Sequence, residues 1–480
     1  MTSKCRFGLA RGDITPPVGI YHRMWGAAVH DRSEGVHRPL TATACVFQQL
    51  AGAPSPETQQ ILIALDHCLL GKREMDALLD EVQRRTNVPR ECLLVVFSHT
   101  HAAGLMSLDR VEMPGGELIP AYLQQLNATI SELVQRAIRD CAACTITYGT
   151  GRCDLAAHRD FWDEASQQWV CGFNPSGFAD DTVLVARVTS DDGETVAVLV
   201  NYACHPTTLA WDNRLISTDY PGATRETIEN TTEVPCVFLQ GASGDLGPRF
   251  GYVGDVRVAD QNGRQLGYAA LSAITALPPP NTRFEYSGPV VSGATIGVWN
   301  YVPLVGEELQ EAARWQVDRT TLPLRYRPGL PTLDQVQVAK KQWLADEQAA
   351  AADGDSQRQR DCRAMVERHT RMVTRLQQLP AGESFPYQLV VWRMGAAIWV
   401  AAQGESYSLL QTSLRQRFPN VPIVICSLAN GWGPSYLPPA ELYDRGIYQE
   451  SIAALAPGSL ENVIAEAAHR IEKLLGIHRS

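Results

Sequence analysis

Residues Leu93–Gly104 read LLVVFSHTHAAG, in which five apolar residues run into Ser98 and the histidine pair His99 and His101. The short β-branched run predicts a buried strand, after which the chain turns. In extended backbone, residues two apart project to the same side, so we expect His99 and His101 to face one space. Two imidazoles at a strand end suit a metal site or an acid–base site. Two ordinary hydrogen-bonded loop histidines are the alternative interpretation.

Strand and helix patterns alternate through the first 150 residues. Gln60–Leu65 reads as a strand that ends at Asp66, and Lys72–Thr86 and Ile119–Cys141 have helical spacing of apolar residues. This alternation predicts an α/β fold, a mixed β-sheet flanked by helices. Sites in such sheets gather at strand ends, so we predict that Asp66 contacts substrate. His37, just before another apolar run, is a second candidate for the pocket rim, and a hydrogen bond to a neighbouring loop is its alternative role.

The middle of the chain favours antiparallel strands and a second histidine. Asp191-Asp192-Gly193 separates two apolar runs and predicts a hairpin turn. The second run leads into His205, just as the predicted strand Leu93–Phe97 leads into His99. A third strand, Cys236–Leu239, runs into the loop QGASGDLGPR, which lacks the lysine and spacing of a phosphate loop. Its glycines let the backbone approach a ligand closely, and we predict that Asp245 contacts substrate there.

A helical segment interrupts the second half of the chain. Residues 307–378 are rich in Ala, Gln, Arg and Glu, and long helical runs flank the turn Asp353-Gly354-Asp355. We interpret this segment as an antiparallel helical hairpin inserted into a single domain that spans residues 1–480. Its charged face is expected to be solvated, and a partner-binding role is the alternative.

Strand patterns return near the end of the chain. Ala397–Ala402 reads as a strand that leads to Glu405, the carboxylate that would complete a His-His-Glu set. Val421–Ser427 reads as another buried strand and leads towards Tyr436. Ser459–Leu475 reads as an amphipathic helix that closes the chain.

Bulk composition limits the classes of function. The chain of 480 residues is 45% hydrophobic and 20% charged, with a formal net charge of −10. This balance argues against nucleic acid or an anionic membrane as the main partner. No secretory signal and no stretch of about twenty apolar residues is visible, so we expect no stable membrane insertion. The scattered cysteines are expected to be free thiols in a reducing cytoplasm. We expect a small-molecule substrate, and the sequence leaves a homo-oligomer open.

The order of these motifs resembles the neutral/alkaline ceramidase family. The resemblance rests on GDITPP, GVHRPLTATACVF, SHTHAAG, NYACHPTTLAWDNRLISTDYPG, QGASGDLGP and AAQGESYSLL. It covers residues 7–250 well and residues 395–455 more weakly. The resemblance implies an α/β amidase with one zinc ion. It assigns the zinc ligands to His99, His205, Glu405 and Tyr436. It also implies that His101 and Arg159 contact the substrate carbonyl and its developing charge, with Tyr436 as a ligand, a hydrogen-bond donor or both.

The chain departs from the family pattern in ways that bear on mechanism. The position of the family's serine nucleophile is Gly247, so covalent serine catalysis there is impossible, and Ser243 could replace it only in a remodelled loop. The family's C-terminal β-sandwich and its secretion signal are not visible either. The resemblance therefore implies a zinc-dependent hydrolase that cleaves an amide or related acyl bond with a metal-activated water. We expect a small polar substrate rather than ceramide. A metal-dependent lyase or isomerase and a non-catalytic binding homologue are the alternatives.

Overall fold

A computed structural model describes residues 1–431 and 433–477. Strands are formed by segments of two to twelve residues. In chain order they are β1 (Thr2–Asp13), β2 (Gly35–Val36), β3 (Thr41–Gln48), β4 (Gln59–Leu65), β5 (Leu93–Phe97), β6 (Ala142–Arg152), β7 (Ala156–His158), β8 (Asp160–Asp163), β9 (Gln168–Cys171), β10 (Thr182–Ser190), β11 (Thr195–Tyr202), β12 (Leu215–Ile216), β13 (Cys236–Gln240), β14 (Leu246–Pro248), β15 (Thr282–Val291), β16 (Thr295–Pro303), β17 (Trp315–Arg325), β18 (Ser384–Met394), β19 (Ala397–Ala402), β20 (Glu405–Ser406), β21 (Ile423–Cys426) and β22 (Tyr436–Leu437).

Helices lie between the strands in both halves of the chain. They are α1 (Lys72–Thr86), α2 (Ile119–Arg139), α3 (Tyr220–Thr232), α4 (Val256–Thr275), α5 (Glu307–Ala312), α6 (Leu333–Ala352), α7 (Ser356–Gln378), α8 (Leu409–Arg417), α9 (Tyr448–Ile452) and α10 (Ser459–Leu475). None of these described helices combines the length and the apolar composition needed to cross a membrane.

The largest sheet has eight strands in the order β13-β11-β10-β6-β1-β3-β4-β5. The pairs β4–β5 and β11–β13 are parallel, and the other pairs are antiparallel. The predicted mixed sheet flanked by helices is therefore confirmed. The predicted turn at Asp191–Gly193 joins β10 to β11, because alternating apolar runs around an Asp-Gly pair favour a hairpin.

A second sheet, which the sequence analysis did not anticipate, packs on one face of the first. Its strands follow the order β17-β18-β19-β21. Phe47 of β3 and Trp399 of β19 meet in the core between the two sheets, with ring centroids 5.4 Å apart. Helices cover the two outer faces, α1 to α4 on the large sheet and α8 and α10 on the small one. The molecule therefore has four layers, helix on sheet on sheet on helix.

The large sheet curls so that its edge strands β5 and β13 approach each other. Buried Asp66, after β4, accepts hydrogen bonds from both terminal nitrogens of Arg225 on α3, at 2.9 and 2.6 Å. Because α3 precedes β13, this ion pair joins the two ends of the sheet. The curl explains how loops after β5 and β11, far apart in strand order, reach the same point.

The helical hairpin consists of α6 and α7 with a turn at Asp353–Asp355, as predicted. The predicted boundaries, residues 307–378, are too wide for a purely helical insertion. Trp315–Arg325 forms β17, which pairs along its whole length with β18. The hairpin connects two neighbouring strands of the small sheet, and α7 then crosses towards the strand ends that carry the histidines.

Candidate metal centre and its cavities

Three side chains from three strand ends converge on one point. His99 Nε2 lies 2.9 Å from His205 Nε2, and Glu405 Oε2 lies 3.3 Å from the first and 3.6 Å from the second. His99 follows β5, His205 follows β11, and Glu405 is the first residue of β20 after β19. These ligand-capable atoms form one of the groups in the described structure that could hold a metal ion.

Both histidines present a nitrogen lone pair to this point. His99 Nδ1 donates to the carbonyl of Cys68 at 2.6 Å, and His205 Nδ1 contacts the carbonyl of Ser243 at 3.3 Å. A backbone carbonyl on Nδ1 fixes the tautomer that leaves Nε2 as an acceptor, which is the usual arrangement of a zinc-binding histidine. Two such acceptors 2.9 Å apart repel each other unless a cation or a proton lies between them.

The donor set fits a divalent metal ion. Two imidazoles and one carboxylate are the protein ligands of many catalytic zinc sites, which keep a position open for water or substrate. Glu405 Oε2 is buried and makes no regular hydrogen bond to any described residue. Bonds of 2.0–2.1 Å in a tetrahedron separate two nitrogens by about 3.3 Å, so small rotations of the rings would admit the ion.

The electrostatics of His99, His205 and Glu405, called the triad below, also favour a bound cation. Burial disfavours the charged form of His99, yet Cys68 and the Glu405 carboxylate raise its pKa well above the ordinary value. Burial raises the pKa of Glu405, but His99, Tyr436 and Arg159 outweigh it and hold that pKa below normal. For His205, burial and the Arg159 guanidinium lower the pKa strongly. The carboxylate is therefore ionised and stabilises positive charge at the point of convergence.

A second group, Cys68, His99 and His101, also lies close enough to bind an ion. Cys68 Sγ is 3.6 Å from His99 Nδ1, the nitrogen that already donates to the Cys68 carbonyl. Binding an ion through Nδ1 would break that hydrogen bond, whereas the Nε2 set breaks none. The His99–His205–Glu405 set is therefore the better site.

His99 and His101 lie together, but not for the reason that the sequence suggests. Their ring centroids are 5.0 Å apart. The backbone of His99 has a φ of 66°, in the left-handed region that is uncommon for residues with a Cβ. The chain therefore turns sharply at His99 instead of continuing as a strand. His101 Nε2 is buried without a partner among the described residues, and burial with His99 nearby lowers its pKa strongly.

Glu405 and Tyr436 are held side by side by backbone pairing. They are register partners in the short parallel pair β20–β22. Gly404 makes this close approach possible, because it has a φ of 71° and a Cβ there would lie 2.5 Å from the Ser435 carbonyl oxygen. The Tyr436 hydroxyl accepts a hydrogen bond from Arg159 Nη2 at 3.1 Å, and burial raises its pKa well above normal.

Arg159 enters the site from the β7–β8 segment. It donates from Nε and Nη2 to the carbonyl of Gly244, at 3.1 and 2.6 Å, and is 2% exposed. Its guanidinium also lies over the Tyr436 ring, 5.4 Å from the centroid. These contacts fix a buried cation beside the triad.

Three predicted substrate contacts lie outside the two cavities described next. Asp66 forms the buried ion pair with Arg225. His37 contacts Ser217 Oγ at 2.9 Å and Asp260 Oδ1 at 3.2 Å. Asp245 accepts hydrogen bonds from the backbone and hydroxyl of Ser408, both at 2.6 Å. Each joins elements of the scaffold around the site.

Two cavities adjoin the triad, one of about 100 Å³ and one of about 420 Å³. The small cavity contains His99 and Glu405 in its lining, and the large cavity contains His205 and Arg159. Both are lined by Met24, His101, Arg371, Arg375, Tyr436 and Tyr448. The sequence analysis missed the two arginines, which belong to α7. A signal was present, because Glu367, Arg371 and Arg375 are spaced by four residues and lie on one helix face.

Comparison with known families decides the relationship. The family model described as "Neutral/alkaline non-lysosomal ceramidase, N-terminal" matches residues 6–251. The chain belongs to this family. The match contains His99, Arg159 and His205, whereas Glu405 and α7 lie beyond it. A comparison with curated proteins finds no match.

Solved ceramidase structures share the fold. The neutral ceramidase from Pseudomonas aeruginosa superimposes with a TM-score of 0.64 at 14% identity, covering 100% of this chain and 76% of that one. A structure titled "Ceramidase complexed with C2" gives a TM-score of 0.65 at 14% identity, covering 100% and 77%. At this identity the likeness concerns the fold, and membership of the ceramidase family implies a hydrolase.

Proposed function

We propose that this protein is a zinc-dependent hydrolase that cleaves an amide or related acyl bond in a small polar molecule. One observation carries the proposal. Two histidine Nε2 atoms and a carboxylate oxygen lie within 3.6 Å of one another, while backbone carbonyls occupy both Nδ1 atoms. His99, His205 and Glu405 would hold the ion, and Tyr436 stands beside Glu405 as a further ligand or a hydrogen-bond donor.

A bound zinc ion would polarise the scissile carbonyl and lower the pKa of a water molecule. The protein supplies the surrounding groups. Arg159, held by Gly244, presents a fixed positive charge to the negative charge that develops on the carbonyl oxygen. His101 lines both cavities with an unpartnered Nε2, so it is placed to hydrogen-bond the substrate or to move a proton.

Water is the nucleophile in this proposal. Gly247 has no hydroxyl, and Ser243 does not line either cavity. The Ser243 hydroxyl instead accepts a hydrogen bond from Gln240 at 2.7 Å. Space is not the reason for the missing serine. A Cβ at Gly247 would meet only Thr207 Oγ1 at 3.7 Å and Arg159 Cδ at 3.9 Å, which are ordinary contacts.

The size and position of the cavities support a small substrate. A volume of about 420 Å³ lies within the range of pockets for small ligands. Helix α7 contributes arginine side chains to both cavities, and these favour a polar group on the substrate. Twelve free cysteines in the described structure support a cytoplasmic location, because disulfides are rare there.

Metal analysis and turnover test the proposal together. We expect purified protein to contain about one zinc per chain. We expect His99→Ala to lose it, because His205 and Glu405 alone cannot hold the ion tightly. The exposed His469→Ala variant is the matched control and should keep its zinc. We expect hydrolysis of small acyl amides, with oxygen from labelled water in the acid product.

Full zinc occupancy in His99→Ala would contradict the ligand assignment. An unsaturated product without labelled oxygen would indicate a lyase instead. A zinc-loaded protein without turnover on amides, esters and lactones would support a binding homologue.

A further inference from the structure

Helix α7 lines the cavities mainly with charged side chains. Ala364, Glu367, Arg371 and Arg375 recur every three or four residues and line the cavities, with Arg371 and Arg375 common to both. The helix also comes very close to the main body, since a Cβ on Gly26 would lie 3.0 Å from Ala364 Cβ. The arginines therefore line the same cavities as the candidate metal ligands.

The lining carries an excess of positive charge. Among the described lining residues, five arginines face two carboxylates: Arg110, Arg159, Arg368, Arg371 and Arg375 against Glu367 and Glu405. The whole chain, by contrast, has a net charge of −10. A bound divalent ion would enlarge the excess.

Neither carboxylate can balance this excess by itself. Glu367 accepts hydrogen bonds from both terminal nitrogens of Arg110, at 3.1 and 3.0 Å, and from Arg371 Nε at 2.8 Å. Glu405 belongs to the candidate metal set. Arg371 also donates to the carbonyl of Met24, which fixes its direction. Partly buried cations in such surroundings favour an anion brought by a ligand.

We propose that Arg371 and Arg375 bind a carboxylate group of the substrate, so that the site selects carboxylate-bearing amides over neutral ones. The proposal rests on the proposed function for the reaction, but not for the binding of the carboxylate. Guanidinium groups suit this role because their fork of N–H donors matches the two oxygens of a carboxylate.

Aromatic side chains in the lining of the large cavity can receive the rest of such a molecule. Trp25 contacts Tyr252 edge to face, with centroids 5.7 Å apart, and Trp211 in the same way at 6.1 Å. All three rings line the large cavity together with the arginines. An apolar or aromatic substituent can pack there while its carboxylate faces α7.

A pair of matched ligands tests the proposal by calorimetry on zinc-loaded protein. Phenylpropanoate carries the carboxylate, and benzylacetone has the same shape with no charge and no hydrolysable bond. We expect phenylpropanoate to bind about 10- to 100-fold more tightly, as charge-assisted hydrogen bonds provide. Equal affinities would overturn the proposal.

Variants separate the arginines from the metal as the source of the preference. We expect Arg375→Gln and Arg371→Gln each to reduce the preference at least about tenfold, while Arg358→Gln, an exposed position on the same helix, leaves it unchanged. A preference that persists in both cavity variants would mean that the metal binds the carboxylate, and would overturn the proposal.

Further variants distinguish a folding defect from a loss of carboxylate binding. Arg371 also contacts Glu367 and Met24, so Arg371→Lys, which keeps the charge, is included and should retain part of the preference. If Arg371→Gln does not fold, Arg375→Gln and the wild-type ratio decide. An arginine-dependent preference without hydrolysis of any amide would refute the proposed function and support this inference. Hydrolysis of neutral and anionic amides at equal kcat/KM, together with equal binding of the two ligands, would support the proposed function and refute this inference.

Discussion

Two walls of the paired cavities are constructed on different physical principles. The strand-end wall consists of His99, His205 and Glu405. These residues come after β5, β11 and β19, whose side chains are almost entirely buried in apolar core. The hairpin wall consists of Ala364, Glu367, Arg371 and Arg375. It belongs to α7, in which only Cys362 and Glu367 are buried. The first wall is held by apolar packing and backbone hydrogen bonds, and the second mainly by ion pairs and side-chain hydrogen bonds.

This difference teaches where rigidity and specificity lie. A metal centre needs ligands fixed to within a fraction of an ångström, and buried strands with carbonyl-bonded imidazoles provide that. The hairpin wall instead docks through Arg110–Glu367, through Arg363–Asp31 at 3.3 Å, and through Thr374–Asp109 at 2.9 Å. Polar docking of this kind can change without disturbing the centre, so the hairpin wall is the natural place for substrate selection.

The largest expected effect comes from neutralising the strand-end wall. Glu405→Gln keeps the size of the side chain but removes its negative charge. We expect loss of most bound zinc and a fall in kcat/KM of about 1000-fold, because the charge stabilisation supplied by the ion is lost. Elemental analysis and kinetics check this. Wild-type zinc content together with wild-type turnover would remove Glu405 from the site.

Breaking the buried ion pair should loosen only the hairpin wall. Glu367→Gln leaves the buried Arg110 without its counter-charge, and such a loss costs about 3 kcal/mol. We expect faster hydrogen exchange throughout α7 and unchanged exchange in β5 and β11. Asp361→Asn, an exposed position on the same helix, is the control. Equal protection of α7 in Glu367→Gln and wild type would show that apolar contacts hold the hairpin instead.

Arg159 tests the chemistry beside the strand-end wall while His99, His205 and Glu405 stay unchanged. We expect Arg159→Gln to lower kcat/KM about 100-fold, the usual effect of removing one donor to a developing oxyanion. Zinc content should stay at the wild-type level, and Arg159→Lys should recover part of the rate. A loss of zinc in Arg159→Gln would assign Arg159 to the support of Glu405 and Tyr436 rather than to the substrate.

The smallest expected effect concerns pH. His67, whose carbonyl accepts from His99 N at 3.0 Å, is neutral in the folded protein, because burial lowers its pKa to about 4 despite neighbouring Asp66. Its Nε2 meets the Tyr122 hydroxyl at 2.6 Å. Between pH 6.5 and 4 the unfolded chain binds the proton and the folded chain does not, so stability falls as the pH falls.

Between pH 7.5 and 5 this one group accounts for about 2 kcal/mol of lost stability. We expect His67→Gln to reduce the pH dependence of the free energy of unfolding by that amount, measured by urea unfolding at both values. The exposed His469→Gln variant should keep the wild-type dependence. An unchanged slope in His67→Gln would mean that His67 is protonated in the folded state.

Sequence reasoning reached the strand-end wall because its signals are local. An apolar run followed by a histidine or a glutamate is visible within ten residues, and the family resemblance assigned His99, His205 and Glu405 to one ion. The α/β class and the hairpin turn at Asp353–Asp355 were predictable for the same reason.

The remaining features depend on contacts between distant segments. The curl that joins β5 to β13 depends on Asp66 and Arg225, 159 positions apart. From the sequence alone, Asp66 therefore looks like a residue of the site, although in the folded protein it pairs with Arg225. The arginines of α7 resemble a solvated charged face, because nothing local shows that Arg110 and Glu367 will meet. Stacking of the two sheets is likewise a property of the assembled core.

The central claim is that His99, His205 and Glu405 bind one metal ion. Anomalous diffraction on both sides of the zinc edge, from crystals of the purified protein, tests it most directly. We predict one peak within about 2.0–2.2 Å of His99 Nε2, His205 Nε2 and a Glu405 oxygen. A peak bound by Cys68 and His101 instead, or no peak in crystals of fully active protein, would contradict the account.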